Sequence, residues 1–264
     1  MFSFWKRRSL AVGYWHYWLN AVNQHSLHAP FVYRFYQEVI RPTSDHPEAA
    51  AIEQLRRNLR ISPQKIQTKP LGASSAVNDS QIRSVSDIAR HSLSSPRFGR
   101  FLYHLTQFQK PRITLELGTS LGITTLYLSA NSQNKVLTLE GCPETANLAR
   151  QSFQSLKRTN IELLEGDINE TLPALLGRID TVDLVYLDAN HRKEPTLRYF
   201  QQLLPKINAH SILVFDDIYW SFDMIDAWNT IRVHPQVTLS LDLFDAGVIF
   251  FCPLSHKQHY TLMF

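Results

Sequence analysis

The stretch Arg112–Ala130, RITLELGTSLGITTLYLSA, limits what this 264-residue chain can fold into more than any other. Apolar residues alternate at Ile113, Leu115 and Leu117, the chain turns at Gly118, and an apolar-periodic helix runs on from Gly122. Strand, tight turn and helix start make the first half of a βαβ unit. Gly118 can take backbone angles closed to other residues, and Gly122 lets the helix approach the strand. Thr119, Ser120 and Thr124 place hydroxyls and free helix N–H groups at one spot, where a polar ligand fits.

Dinucleotide sites use G-x-G-x-x-G, with a bare middle glycine so that the backbone meets a pyrophosphate. Here the middle position is Ser120, and bulky Leu121 adjoins Gly122. A pyrophosphate is therefore disfavoured. Glu116, just before the turn, would repel phosphate and suit a cationic group. The run ELGTSLG resembles the first motif of class I S-adenosylmethionine-dependent methyltransferases, whose loop holds the methionine end of the cofactor. A bare strand–turn–helix of an unrelated α/β protein is the alternative.

The length suits one full domain plus an extension, and the 44% apolar fraction fills a substantial core. A net charge of +4 and a pI near 9.1 permit anionic partners without demanding nucleic acid. The two cysteines, Cys142 and Cys252, make neither metal spacing nor a disulfide framework, which fits a reducing cytoplasm. The N-terminal run FSFWKRRSLAVGYWHYWLNAV imitates a signal peptide, but its apolar part is too short to span a bilayer. It reads as an amphipathic aromatic helix that packs on the body or docks on a membrane surface.

Residues 1–110 read as a helical extension without strands, covering a domain over 111–264. Pro30 opens the helix-like run FVYRFYQEVI, Pro47 opens PEAAAIEQLRRNL, and two more runs span Gln81–Ser92 and Pro96–Gln109. Between them, Ile61–Ser80 reads as a loop or lid. The segment HSLHAPFVYRF resembles the N-terminal region of bacterial methyltransferase-like proteins of unassigned substrate. His28 within it reads as a capping or core histidine. After residue 111, strands are expected at Ile113–Leu117, Lys135–Leu139, Ile161–Leu164, Val182–Leu187 and Ser211–Phe215. Helices are expected at Gly122–Ala130, Pro143–Leu156, Asn169–Leu176, Pro195–Leu204 and Trp220–Val233. VTLSLDLF and VIFFC then form an antiparallel hairpin. The fold class is α/β, with a mostly parallel sheet. The order of elements over about residues 100–264 resembles the Rossmann-like class I methyltransferase sheet.

Gly118, Gly122, Gly141 and Gly166 sit just beyond strand ends, where open α/β sheets bind ligands. Acids gather at the same ends. Glu140 follows the second strand and can take both ribose hydroxyls. Asp167 follows the third, Asp188 the fourth, Asp216 and Asp217 the fifth. Helix N-caps account for some such acids. By resemblance, Glu116, Gly118, Ser120, Gly122, Thr124, Glu140, Gly141, Asp167, Ile168 and Asp188 bind S-adenosylmethionine, with Asp167 and Ile168 flanking the adenine. Three carboxylates brought together repel unless a cation or protons lie between them, and oxygen ligands suit Mg²⁺. Asp188, Asp216 and Asp217 resemble the metal ligands of catechol-type O-methyltransferases, with Asp217 where that family carries an amide. His191 falls where that family carries its catalytic lysine; with Asp188 it is the candidate catalytic pair. A loop histidine capping the next helix is the other reading. Trp220 and Phe222 either wall a flat substrate or join the core with Trp228.

The resemblance implies a methyltransferase acting on an oxygen of a small hydroxylated acceptor. A macromolecular acceptor (RNA or protein), or a non-catalytic nucleotide-binding module of the same fold, stays open, as does a homodimer.

Overall fold

Small residues at helix starts and bends set where each element begins. The computed structural model describes residues 10, 11, 13–15, 17–44, 47–68 and 82–264. Residues 10–20 are helical where described (α1). Pro30–Phe35 (α2) continues as a π-turn over Tyr36–Ile40, and Ala49–Ile61 forms α3. Two short strands follow, Lys65–Gln67 (β1) and Ile82–Ser84 (β2), paired antiparallel with Ile66 beside Arg83. They correct the expectation of a strandless extension. The helix expected from Gln81 starts at Val85 (α4, Val85–His91), because Ser84 caps it by accepting the Asp87 N–H at 3.1 Å. The expected loop is structured at Lys65–Gln67, and its remainder from residue 69 lies outside the described residues.

Pro96–Gln109 (α5) opens with proline in its first turn and a Ser95 cap, and stops at left-handed Lys110. The alternation then follows the sequence closely: β3 Ile113–Leu117, α6 Ile123–Leu128, β4 Lys135–Glu140, α7 Pro143–Ser155, β5 Ile161–Glu165 and α8 Ile168–Leu176. It continues as β6 Leu184–Leu187, α9 Lys193–Leu203, β7 Ile212–Asp216, α10 Phe222–Arg232, β8 Leu239–Asp242, β9 Ala246–Phe250 and β10 Gln258–Thr261. The terminal hairpin is present, and β10 is an addition the sequence did not announce.

The chain divides into two compact units. One takes in Phe35 to Arg178, the other the described residues up to Arg34 together with Ile179–Phe264. In the first, β3, β4 and β5 run parallel, with Leu115 beside Leu137 and Leu137 beside Glu162. Thr114–Leu117 are all buried, as a parallel strand covered on both faces requires. Ile52 of α3, Ile123, Leu126 and Tyr127 of α6, and Ala149 and Phe153 of α7 form its core beside the strands. In the second unit, β6 and β7 are parallel, β9 is antiparallel to β7 and to β8, and β10 is parallel to β8. A bridge between Val22 and Leu262 fastens the chain after α1 to the end of β10.

Candidate cofactor and acceptor sites

The turn after β3 is shaped by backbone angles that few residues adopt. Gly118 has φ +99°, Ser120 +48° and Gly122 +82°. A Cβ on Gly122 would stand 2.5 Å from the Phe153 ring, so both conformation and space demand glycine there. The N–H groups of Gly118 and Thr119 both donate to the Leu139 carbonyl at 3.1 Å, which ties the turn to β4.

Glu116 is fully buried. Its carboxylate accepts hydrogen bonds from the hydroxyls of Thr124 (2.7 Å), Thr125 (2.5 Å) and Thr138 (2.7 Å). The Thr119 and Thr138 hydroxyls also meet, at 2.5 Å. A buried carboxylate needs donors to offset lost hydration, and hydroxyls from α6 and β4 supply them. Glu116 therefore clamps the turn from below, and the Thr124 hydroxyl is turned inward with it. Thr125 and Thr138 escaped the sequence reading. A buried acid flanked by threonines on adjoining elements is the signal that would have found them.

Glu140 lies at the carboxyl end of β4 and is partly exposed. One oxygen accepts the Ser120 N–H and the other the Cys142 N–H, each at 2.9 Å. Gly141 separates Glu140 from Cys142 in the sequence. The Gly166 N–H bonds the Glu140 carbonyl at 3.0 Å, so the loops after β3, β4 and β5 are linked in series. Asp167 caps α8, accepting the Asn169 N–H at 2.8 Å, and Ile168 is the first helical residue, half-buried. Ser120, Glu140, Gly141, Asp167 and Ile168 thus gather on three linked loops, whereas Glu116 and Thr124 sit beneath them.

In the other unit, Asp188 follows β6 and receives two side chains. His191 Nε2 is 3.2 Å from one carboxylate oxygen, and the Tyr186 hydroxyl donates to the other at 3.3 Å. Asn190 and His191 are both left-handed (φ +66° and +40°), and that tight turn brings the ring back to Asp188. Asn190 Nδ2 donates to the Tyr199 hydroxyl, which fixes the turn to α9. The His191 ring lies 5.7 Å from Trp220, centroid to centroid, tilted by 34°.

Asp216 ends β7. Burial raises its pKa well above the ordinary carboxyl value. The negative charges of Asp188 and Asp217 push the same way, Asp245 adds to them, and a hydrogen bond from Tyr186 counters in part. Tyr186, fully buried, donates to Asp188 and also favours the ionised form of Asp216. Its position in the apolar run LVYL hid it from sequence reading. Asp217 is left-handed (φ +53°), its N–H donating to the Asp245 carbonyl at 2.8 Å. Among the described residues no group of three His, Cys, Asp or Glu side chains is placed to hold a metal ion.

The aromatics separate clearly. Trp228 is core, 2.5 Å from where a Cβ on Gly247 would stand, whereas Trp220 is partly exposed beside His191 and Phe222 is exposed. Tyr219 turns inward and donates to Asp242 at 2.6 Å; burial, followed by the Asp242 charge, raises its pKa.

Parallel strands alternating with helices, acids and bare turns at the strands' carboxyl ends, and a terminal antiparallel hairpin define the Rossmann-like fold of class I methyltransferases. The SAH-bound Podospora anserina methyltransferase PaMTH1 shares it, with a TM-score of 0.61 at 17% identity, over 86% of this chain and 97% of that one. Residues 115–218 match the family described as a methyltransferase domain, and Glu116 through Asp217 all fall inside that segment. A catechol O-methyltransferase of Mycobacterium tuberculosis is 32% identical over 136 residues, 50% of this chain and 60% of the relative. One from Niastella koreensis is 27% identical over 140 residues, 52% of this chain and 62% of the relative. The chain thus spans about three fifths of the length of these curated relatives.

Proposed function

We propose that the chain is an S-adenosylmethionine-dependent methyltransferase acting on an oxygen of a small hydroxylated acceptor. One observation carries this reading. The Glu140 carboxylate is fixed by the Ser120 and Cys142 N–H groups at a strand end, inside the segment that matches a methyltransferase domain. A carboxylate at that strand end would accept both hydroxyls of a ribose. Gly118, Ser120 and Gly122 would form the turn around the methionine end, with Glu116 and Thr124 stiffening it from beneath. Asp167 and Ile168 would flank the adenine. Bound there, S-adenosylmethionine supplies an electrophilic methyl group on a positively charged sulfur.

The acceptor chemistry falls to His191. With Nε2 facing Asp188, the imidazole would take the proton of an acceptor hydroxyl as the oxygen becomes nucleophilic. Asp188 fixes the ring's orientation and stabilises the imidazolium that forms. Trp220 gives a flat wall for a planar acceptor. The names of the two curated relatives support an oxygen acceptor of catechol type. Residues 1–110 would serve as the extension to a catalytic domain over 111–264, and two free thiols support a cytoplasmic setting.

Calorimetric titration of the folded protein with S-adenosylmethionine and S-adenosylhomocysteine tests the cofactor. Radiolabelled cofactor with catechol-type acceptors, with and without chelator, tests the transfer and any part taken by Mg²⁺. Binding heat, and label on oxygen that falls in His191→Ala, are expected. No heat with either ligand would overturn the reading.

A further inference from the structure

Two faces of α1 differ sharply. Gly13 and Tyr17 are buried. A Cβ on Gly13 would stand 2.3 Å from the Tyr219 ring. The Tyr17 hydroxyl donates to the Leu262 carbonyl at 2.8 Å and accepts the Phe264 N–H at 2.9 Å. The opposite face carries Ala11, Trp15, Trp18 and Leu19, spaced as one helical stripe, with Tyr14 at its margin. Trp15 is 63% exposed, Trp18 57%, Leu19 60% and Tyr14 55%. The two indoles lie 5.9 Å apart. A helix packed on a protein body normally turns polar residues outward; this one turns tryptophans outward.

Charge indicates what covers the stripe. Residues 1–37 contain Lys6, Arg7, Arg8 and Arg34 and no Asp or Glu. These four cations equal the net charge of +4, so residues 38–264 are balanced with 23 charges of each sign. Trp and Tyr favour the headgroup level of a bilayer over a dry core. A second copy would bring like charges together. Among the described residues no helix is long and apolar enough to cross a membrane, so α1 would lie in the plane of the interface.

We propose that the exposed face of α1 docks on the surface of an anionic lipid bilayer. The contact is aromatic, and the cations Lys6, Arg7 and Arg8 precede it in the sequence. Because Gly13 rests on Tyr219, the docked helix bears on the residue next to Trp220.

The full chain is sedimented with vesicles of phosphatidylcholine alone and of phosphatidylcholine with phosphatidylglycerol, at low salt. Wild type should bind the anionic vesicles, with a blue shift of tryptophan emission, and stay in solution with the neutral ones. Each of Lys6→Ser, Arg7→Ser and Arg8→Ser should weaken binding about fivefold. Trp15→Ser with Trp18→Ser, both solvent-facing, should weaken it by about tenfold or more at an unchanged circular dichroism spectrum. Wild type that ignores anionic vesicles, or a double tryptophan variant that binds them as wild type does, overturns the proposal. So does a wild-type dimer that the double variant dissolves while neither protein binds vesicles, since the stripe then serves a second copy.

Discussion

At the scale of single residues, the two glutamates of the cofactor turns have opposite duties. Glu116 is closed off by three hydroxyls, so Glu116→Ala should act on stability. Losing a buried acceptor of charged hydrogen bonds and stranding its donors costs about 3 kcal/mol, readable as a lower urea midpoint. Glu140 keeps contact with solvent and accepts two backbone N–H groups. Glu140→Ala should leave the melting temperature nearly unchanged and weaken S-adenosylmethionine binding by about 10- to 100-fold in calorimetry. Asp216 offers a pH test. Its folded pKa is raised above the unfolded value, so the folded protein binds a proton that the unfolded chain releases. Stability is then largest below the ordinary carboxyl pKa and falls as pH climbs towards the raised one. Asp216→Asn should remove that slope and raise the melting temperature at neutral pH, by about 2–4 °C for each kcal/mol recovered. Gly118, Gly122 and Glu140 were legible in the sequence because their duties are local, set by a turn and a strand end. Tyr186, Thr125 and Thr138 were not, because what they touch depends on how strands, helix and loop come together in three dimensions.

Among elements, length decided what could be foreseen. The βα series from β3 to β7 was readable because each strand carries recurring apolar residues and each helix has a period. β1 and β2, three residues each, carry no period to detect, and their pairing is non-local. β10 reads QHYT, with Tyr260 and His259 showing no preferred face, and its parallel register with β8 appears only in three dimensions. Gly122→Ala should disrupt the β3–α6 turn through both its left-handed φ and the Phe153 ring. A loss of about 2 kcal/mol or more in denaturant unfolding is expected, with cofactor affinity falling alongside.

For the whole molecule, acids stand at or just past the carboxyl ends of β4 to β7, as the sequence pattern implied. Strand order brings Asp188 and Asp216 to a common tyrosine, while a left-handed turn ties the Asp217 backbone to Asp245 instead. The last strand also has a global duty. β10 pairs along β8, whose residues Leu239–Asp242 are all buried. Removing residues 258–264 would bare that edge, and static light scattering should show aggregation that the full chain lacks.

The Tyr17 hydroxyl joins positions 245 residues apart. A contact that distant forms only once both segments have reached the body, so it closes late in folding. Hydrogen exchange over residues 13–20 should consequently run faster than over β3 or β7. Residues 17–22 and 261–264 are thus each other's anchorage, and loosening either segment loosens both.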